Sequence, residues 1–268
     1  MKRAALILAA LFAWPAHAQD LSAEREAGLG CGLSDAVGEI AEAPDLGIKR
    51  ANFWGATSRY PHGALGDDIE PMGLLVRPEG FGFCDRVFAM NGGVFEDIAP
   101  RLIDLDGDGQ AEIIVVSSHP ILGARLEIWG YPNGAGLGER FALQVIATTP
   151  YIGTRFRWLA PIGAVDLDGD GYLEIAYIDR PHLAKTLRVW RYVDQELIPV
   201  AELEGLTNHR IGEDFISGGI RDCGPVPELI VANANWSHIM SIRLKGDQLT
   251  ATEIDEYNGS FEDALNCR

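Results

Sequence analysis

Residues 103–116 read IDLDGDGQAEIIVV, and residues 165–178 return to the same pattern as VDLDGDGYLEIAYI. Each copy sets Asp at alternate positions across a glycine-spaced turn, adds a Glu four residues after the last Asp, and then runs into aliphatics. Alternate side chains converge only where the backbone curls tightly, and Gly107, Gly109, Gly169 and Gly171 supply the freedom to do so. The apolar runs that follow have the length of buried strands rather than helices. A chain with two such turn-and-strand units 62 residues apart is read as a repeat protein built from β-hairpins.

The rest of the chain agrees. Short runs rich in Val, Ile, Leu and aromatics, among them ARLEIWGY, TLRVWRYV, ELIVANAN and HIMSIRL, are separated by Gly, Pro, Asn and Asp clusters. Blocks beginning near Val94 and Thr154 share one order: a strand, the acidic turn, then three more strands. A third copy starts near Gly212. Aligning its Glu228 with Glu112 places Asp222 on Asp106, but Ile220 on Asp104 and Gly224 on Asp108, so the turn persists while the acidic set is mostly lost. A weaker copy is read at Arg59–Gly80. Repeats of about 60 residues with four strands each are the signature of propeller blades. The expected fold is therefore all-β, a small β-propeller of four blades over residues 48–268. A β-sandwich with two decorated hairpins, the alternative, leaves the shared strand order unexplained. Residues 19–47, rich in Ala, Glu and Gly, are expected to form a leader, either a short helix or a loose segment.

The first 18 residues combine Lys2 and Arg3, an apolar run from Ala4 to Trp14 and a small-x-small ending at Ala16–Ala18, the pattern of a secretory signal peptide. The run is too short to span a bilayer. Export to a bacterial periplasm or medium is the expectation. The four cysteines, Cys31, Cys84, Cys223 and Cys267, then favour disulfides, with three possible connectivities. Cys31–Cys84 with Cys223–Cys267 is preferred, because a bridge from the penultimate residue pins the chain end; four free thiols are the alternative. The formal net charge of −17 disfavours nucleic acid and anionic membranes as partners. A protein or carbohydrate ligand, no membrane span and a monomeric state are expected.

The acidic turns offer carboxylates at positions 1, 3, 5 and 9 (Asp104, Asp106, Asp108, Glu112; Asp166, Asp168, Asp170, Glu174) and a backbone carbonyl at position 7 (Gln110, Tyr172). With water this makes six to eight hard oxygen ligands, the set Ca²⁺ prefers over Mg²⁺ or a softer metal. Unneutralised carboxylates that close together would repel by several kcal/mol at an intermediate dielectric. Two structural calcium ions are expected; a solvated Asp/Gly turn is the bland alternative. The twelfth position is Val115 or Tyr177, not the bidentate Glu of an EF-hand. DLDGDGQAEIIVV and DLDGDGYLEIAYI instead resemble the FG-GAP/VCBS repeat of integrin-α-like propellers, over roughly residues 94–245. The FG and GAP landmarks themselves are absent. The resemblance implies calcium loops that brace hairpins inside a binding or adhesion module.

A second site is expected where polar residues precede the first strand of each repeat. His62, Glu96, Asp97, Arg157, Trp158, His209, Arg210 and Asp214 would gather at one mouth of the central channel, as a binding cleft for an anionic or sugar-like ligand or as inter-blade ion pairs. No nucleophile elbow, zinc helix or phosphate loop appears, so no catalytic residue is assigned. The alternative is a hydrolase or lyase acting on a polysaccharide or phosphate ester through this His/Arg/Asp set.

Overall fold

The computed structural model describes residues 24–27, 31–32, 35–131 and 143–268. The expected signal peptide, residues 1–18, lies outside them. Among the described residues the chain forms four antiparallel sheets, arranged as a four-bladed propeller-like fold. Blade 1 contains β1 (Glu24–Ala27), β2 (Ala36–Ala43), β3 (Ile48–Thr57), β4 (Glu70–Pro78) and β5 (Phe83–Phe88). Blade 2 contains β6 (Val94–Phe95), β7 (Arg101–Ile103), β8 (Glu112–His119), β9 (Gly123–Gly130) and β10 (Gln144–Thr148). Blade 3 contains β11 (Leu159–Val165), β12 (Glu174–Asp179), β13 (Thr186–Val193) and β14 (Glu196–Glu204). Blade 4 contains β15 (Leu206–Thr207), β16 (Gly219–Arg221), β17 (Glu228–Asn233), β18 (His238–Lys245) and β19 (Gln248–Glu256). A short helix, α1 (Glu262–Leu265), follows.

Sheets stacked face to face explain the continuous apolar runs after the acidic turns. A strand buried on both faces has no polar side to alternate with. In β8, Ile113 and Val115 enter the core between blades 1 and 2, while Ile114 and Val116 enter the core between blades 2 and 3. In β12, Ile175 and Tyr177 face blade 2, and Ala176 and Ile178 join the core shared with blade 4. The outermost strand of blade 4, β19, is polar and exposed along nearly its whole length, TATEIDE being suited to a free edge.

Among the described residues, two faces of this stack have no neighbouring sheet in their apolar layer, and each carries a disulfide. On blade 1, Trp54, Leu75 and Cys84 pack with Cys31 and Met72, and Cys31 is bridged to Cys84. On blade 4, Ile230, Ala232 and Ile239 pack against Phe261 and Ala264 at α1, and Cys223 is bridged to Cys267. Blades 4 and 1 approach through loops, with Asp214 beside Gly66. Both bridges follow the preferred pairing.

The N-terminal boundary differs from the sequence reading. Residues 19–47 are not simply a leader, because β1 and β2 belong to the first sheet. β2 is short of large side chains, and its pairing with β3 is interrupted by register shifts, so a weak local preference is overridden by the sheet it joins. The faint copy read at Arg59–Gly80 begins instead in the long β3–β4 connection. No helix among the described residues is long and apolar enough to cross a membrane.

Candidate metal loops and channel-mouth cavity

The two acidic turns join consecutive antiparallel strands of a blade, β7 to β8 and β11 to β12. In each, the first Asp organises the curl. Asp104 accepts the backbone N–H groups of Gly107 and Asp108 at Oδ1 (2.8 and 3.1 Å) and of Gly109 at Oδ2 (3.0 Å). Asp166 does the same for Gly169, Asp170 and Gly171 at 2.7, 3.2 and 2.9 Å. Gly107 and Gly169 hold φ values of 77° and 79°, a left-handed conformation costly to other residues. The ninth-position glutamates turn back beneath the loops, Glu112 Oε2 accepting Leu105 N–H at 2.7 Å and Glu174 Oε2 accepting Leu167 N–H at 2.9 Å.

The turns then diverge. In the first, Asp104, Asp106 and Asp108 bring one oxygen each to within 4.8 Å of one another. The backbone N–H and side-chain Nε2–H of Gln110 both donate to Asp108, at 2.7 and 3.2 Å, which leaves its backbone carbonyl and side-chain oxygen as the groups that could serve as ligands. No arginine or lysine among the described residues pairs with these aspartates or with Glu112. Burial pushes the Glu112 carboxyl up to about 7, with Asp106, Asp108 and Asp104 adding to the shift. Tyr192, on β13 of the next blade, is raised by burial and by Glu112, Asp106 and Asp108; its hydroxyl is buried without a hydrogen-bond partner. An orphaned hydroxyl beside unneutralised carboxylates is a setting that a hydrated cation completes, so this donor set fits Ca²⁺.

In the second turn the convergent oxygens belong to Asp166, Asp168 and Glu174. Arg191 reaches in from β13, with contacts of 3.0 Å to Asp168, 2.7 Å to Asp170 and 2.6 Å to Glu174. Asp168 Oδ1 stays buried and unpartnered. Tyr172 N–H donates to Asp170 at 2.9 Å, and its side chain is half exposed.

The channel-mouth group comes together only in part. His62, Arg157 and Trp158 line a cavity of about 50 Å³ together with Phe156, Arg180 and His182. His62 Nδ1 lies 2.6 Å from Glu96 Oε1, and Ser118 donates to the other oxygen. Trp158 Nε1–H donates to the Glu96 carbonyl at 2.8 Å. His209 is buried behind the cavity, 2.9 Å from His182. Burial, with His209 and His62 nearby, lowers His182 to about 4, so this ring is neutral at pH 7. Arg210 is directed elsewhere, over the rings of Trp236 and Tyr257. Asp214 sits against Gly66, and Asp97 is held in an ion pair with Arg101 at 2.6 Å.

Sequence reading missed Arg180, His182 and Glu70. The first two follow β12 in IDRPH, after a strand rather than before one. Phe156 and Arg180 hold positive φ values of 56° and 48° at the cavity wall, an unusual conformation for bulky residues. Glu70 is buried, and burial beside Glu96 and Asp67 pushes its carboxyl up to about 9. A raised carboxyl stabilises the fold fully below its unfolded value near 4.5, and that contribution is lost as pH rises through about 9. Urea unfolding between pH 6 and 9.5 is therefore expected to show wild-type stability falling more steeply than that of Glu70→Gln. Parallel slopes would refute the assignment.

Residues 104–177 match the FG-GAP-like repeat family. The match runs from the first acidic turn to β12 just beyond the second, so it covers one full turn-to-turn period. No curated protein matches the chain.

Proposed function

We propose that this chain, whose residues 104–177 match the FG-GAP-like repeat, works as an exported binding or scaffold module whose Asp104–Glu112 loop takes calcium as a structural ion. The observation that carries the calcium reading is the first loop, where three convergent carboxylates and a buried Glu112 face no arginine or lysine among the described residues. A bound ion would tie β7 to β8 and, through the hydroxyl of Tyr192, blade 2 to blade 3. Asp104, Asp106, Asp108, Glu112 and the Gln110 carbonyl would hold it. The corresponding oxygens of the second loop belong to Asp166, Asp168, Asp170, Glu174 and the Tyr172 carbonyl, but there Arg191 already contacts three of the carboxylates. Two disulfides support export, since such bridges persist mainly in oxidising compartments.

The cavity at His62, Arg157 and His182 is the natural place for a small polar or anionic group presented by a protein or carbohydrate partner. Catalysis on a polysaccharide is less well supported, because ligand clefts are typically several hundred Å³ and this cavity is about 50 Å³.

Thermal unfolding with and without chelator tests the calcium reading. Calcium at about one hundred times its dissociation constant contributes about 2.7 kcal/mol, so chelation is expected to lower Tm by several degrees. Asp106→Asn should abolish most of that difference. An unchanged Tm on chelation would refute the reading.

A further inference from the structure

The three related turns keep their ninth-position glutamate but differ in the residue facing it across the hairpin. Glu174 stands opposite Arg191 in the β12–β13 register. One step beyond the β8–β9 ladder, Glu112 faces Gly130, where an added Cβ would crowd Ile146 Cδ1 at 2.9 Å and lie 3.8 Å from Glu112 Cγ. One step beyond the β17–β18 ladder, Glu228 faces Arg243 and is paired with it. Glu228 also binds Arg221, at 2.6 Å. In that fourth blade two of the three aspartate positions have become Ile220 and Gly224, and two guanidinium groups and a disulfide occupy the turn.

We propose that Arg191 is the resident cation of the Asp166–Glu174 loop, so that this loop is held by the protein's own charge while the Asp104–Glu112 loop depends on a metal ion. The proposal rests on the calcium reading above for the first loop only. Its geometry is direct. One guanidinium contacts three of the four carboxylates that a divalent ion would need, all within 3.0 Å. Asp170 is drawn out of the convergent group, which contains its counterpart Asp108 in the first loop. The unpartnered Asp168 Oδ1 is the oxygen left over when Arg191 takes Oδ2. An entering ion would have to share these ligands with a positive charge already in contact with them, a repulsion strong enough to weaken binding about tenfold or more. The residue opposite the ninth position thus sorts the blades: glycine leaves a metal loop, and arginine replaces the metal.

Native mass spectrometry of the full chain, titrated with calcium alone, tests this. The expected result is one tightly held ion in the wild type, lost in Asp106→Asn. Arg191→Gln should hold two, the second tightened about tenfold or more and removed again by adding Asp168→Asn. Arg191→Lys, which keeps the charge and guards against a folding defect in the glutamine variant, should remain at one. Two ions of similar affinity in the wild type, or one ion in the wild type and still only one in Arg191→Gln, would overturn the proposal. No ion in the wild type with one in Arg191→Gln would refute the first-loop reading and uphold the role of Arg191. No ion in either would refute both.

Discussion

Replacing Cys267 with serine is expected to lower the unfolding free energy by about 2–5 kcal/mol, the usual range for a native disulfide closing a loop of this size. The bridge to Cys223 spans 44 residues and fixes the chain end against blade 4. What it fixes is an apolar cover. Phe261 and Ala264 bury the outer face of β17, and Arg221 Nη1 donates to the Ala264 carbonyl at 3.1 Å. A four-residue helix has no stability of its own, so its docking depends on this tether. Urea denaturation of the serine variant measures the effect, with Cys31→Ser as the matching change on blade 1. A loss below about 1 kcal/mol would mean that the tail docks without its covalent anchor.

Trp158→Ala is expected to cost about 3–5 kcal/mol, the range for removing a large buried aromatic. Its ring is 3% exposed and belongs to the core between blades 2 and 3. It also stands edge-on to His209 at 5.0 Å and donates to the Glu96 carbonyl. The substitution therefore removes core packing and leaves that carbonyl without its donor, while the wall of the cavity falls inward. Trp158→Phe keeps most of the packing and should cost clearly less. Equal losses in the two variants, measured by chemical denaturation, would show that the indole hydrogen bond rather than ring volume sets the cost.

The repeat was legible because its chemistry is local. Asp at alternate positions with intervening glycine specifies a curl, and an uninterrupted apolar run specifies a strand buried on both faces; both are properties of neighbouring residues. The order of strands in blades 2, 3 and 4 followed from those units. Blade 1 was legible only as a weak copy at Arg59–Gly80, and its first two strands fell in the expected leader because β2 offers the sheet mainly backbone, which no side-chain pattern advertises. The channel mouth was half legible for a related reason. Positions ahead of each first strand converge, which brought His62, Arg157 and Trp158 together, but Arg180 and His182 arrive from the far end of β12. Arg210 has an aromatic shelf of its own in Trp236 and Tyr257, and no spacing in NHRIGED signals it.

The contrast between the acidic loops was hidden most completely. Their sequences match at every liganding acid, yet the feature that separates them, Arg191 against Gly130, sits on the following strand, 17 residues beyond Glu174 in one case and 18 beyond Glu112 in the other. Only the strand register places each opposite its glutamate. A cation inside the fold and a cation from solution are two solutions to the same electrostatic problem, and under the proposal above these neighbouring blades use different ones.

Isothermal titration of metal-stripped protein with calcium tests the central claim most directly. The wild type is expected to give a binding isotherm that disappears in Asp106→Asn and persists in Asp168→Asn. No heat of binding in the wild type, or an isotherm that Asp106→Asn leaves unchanged, would contradict the assignment of the Asp104–Glu112 loop as the calcium site.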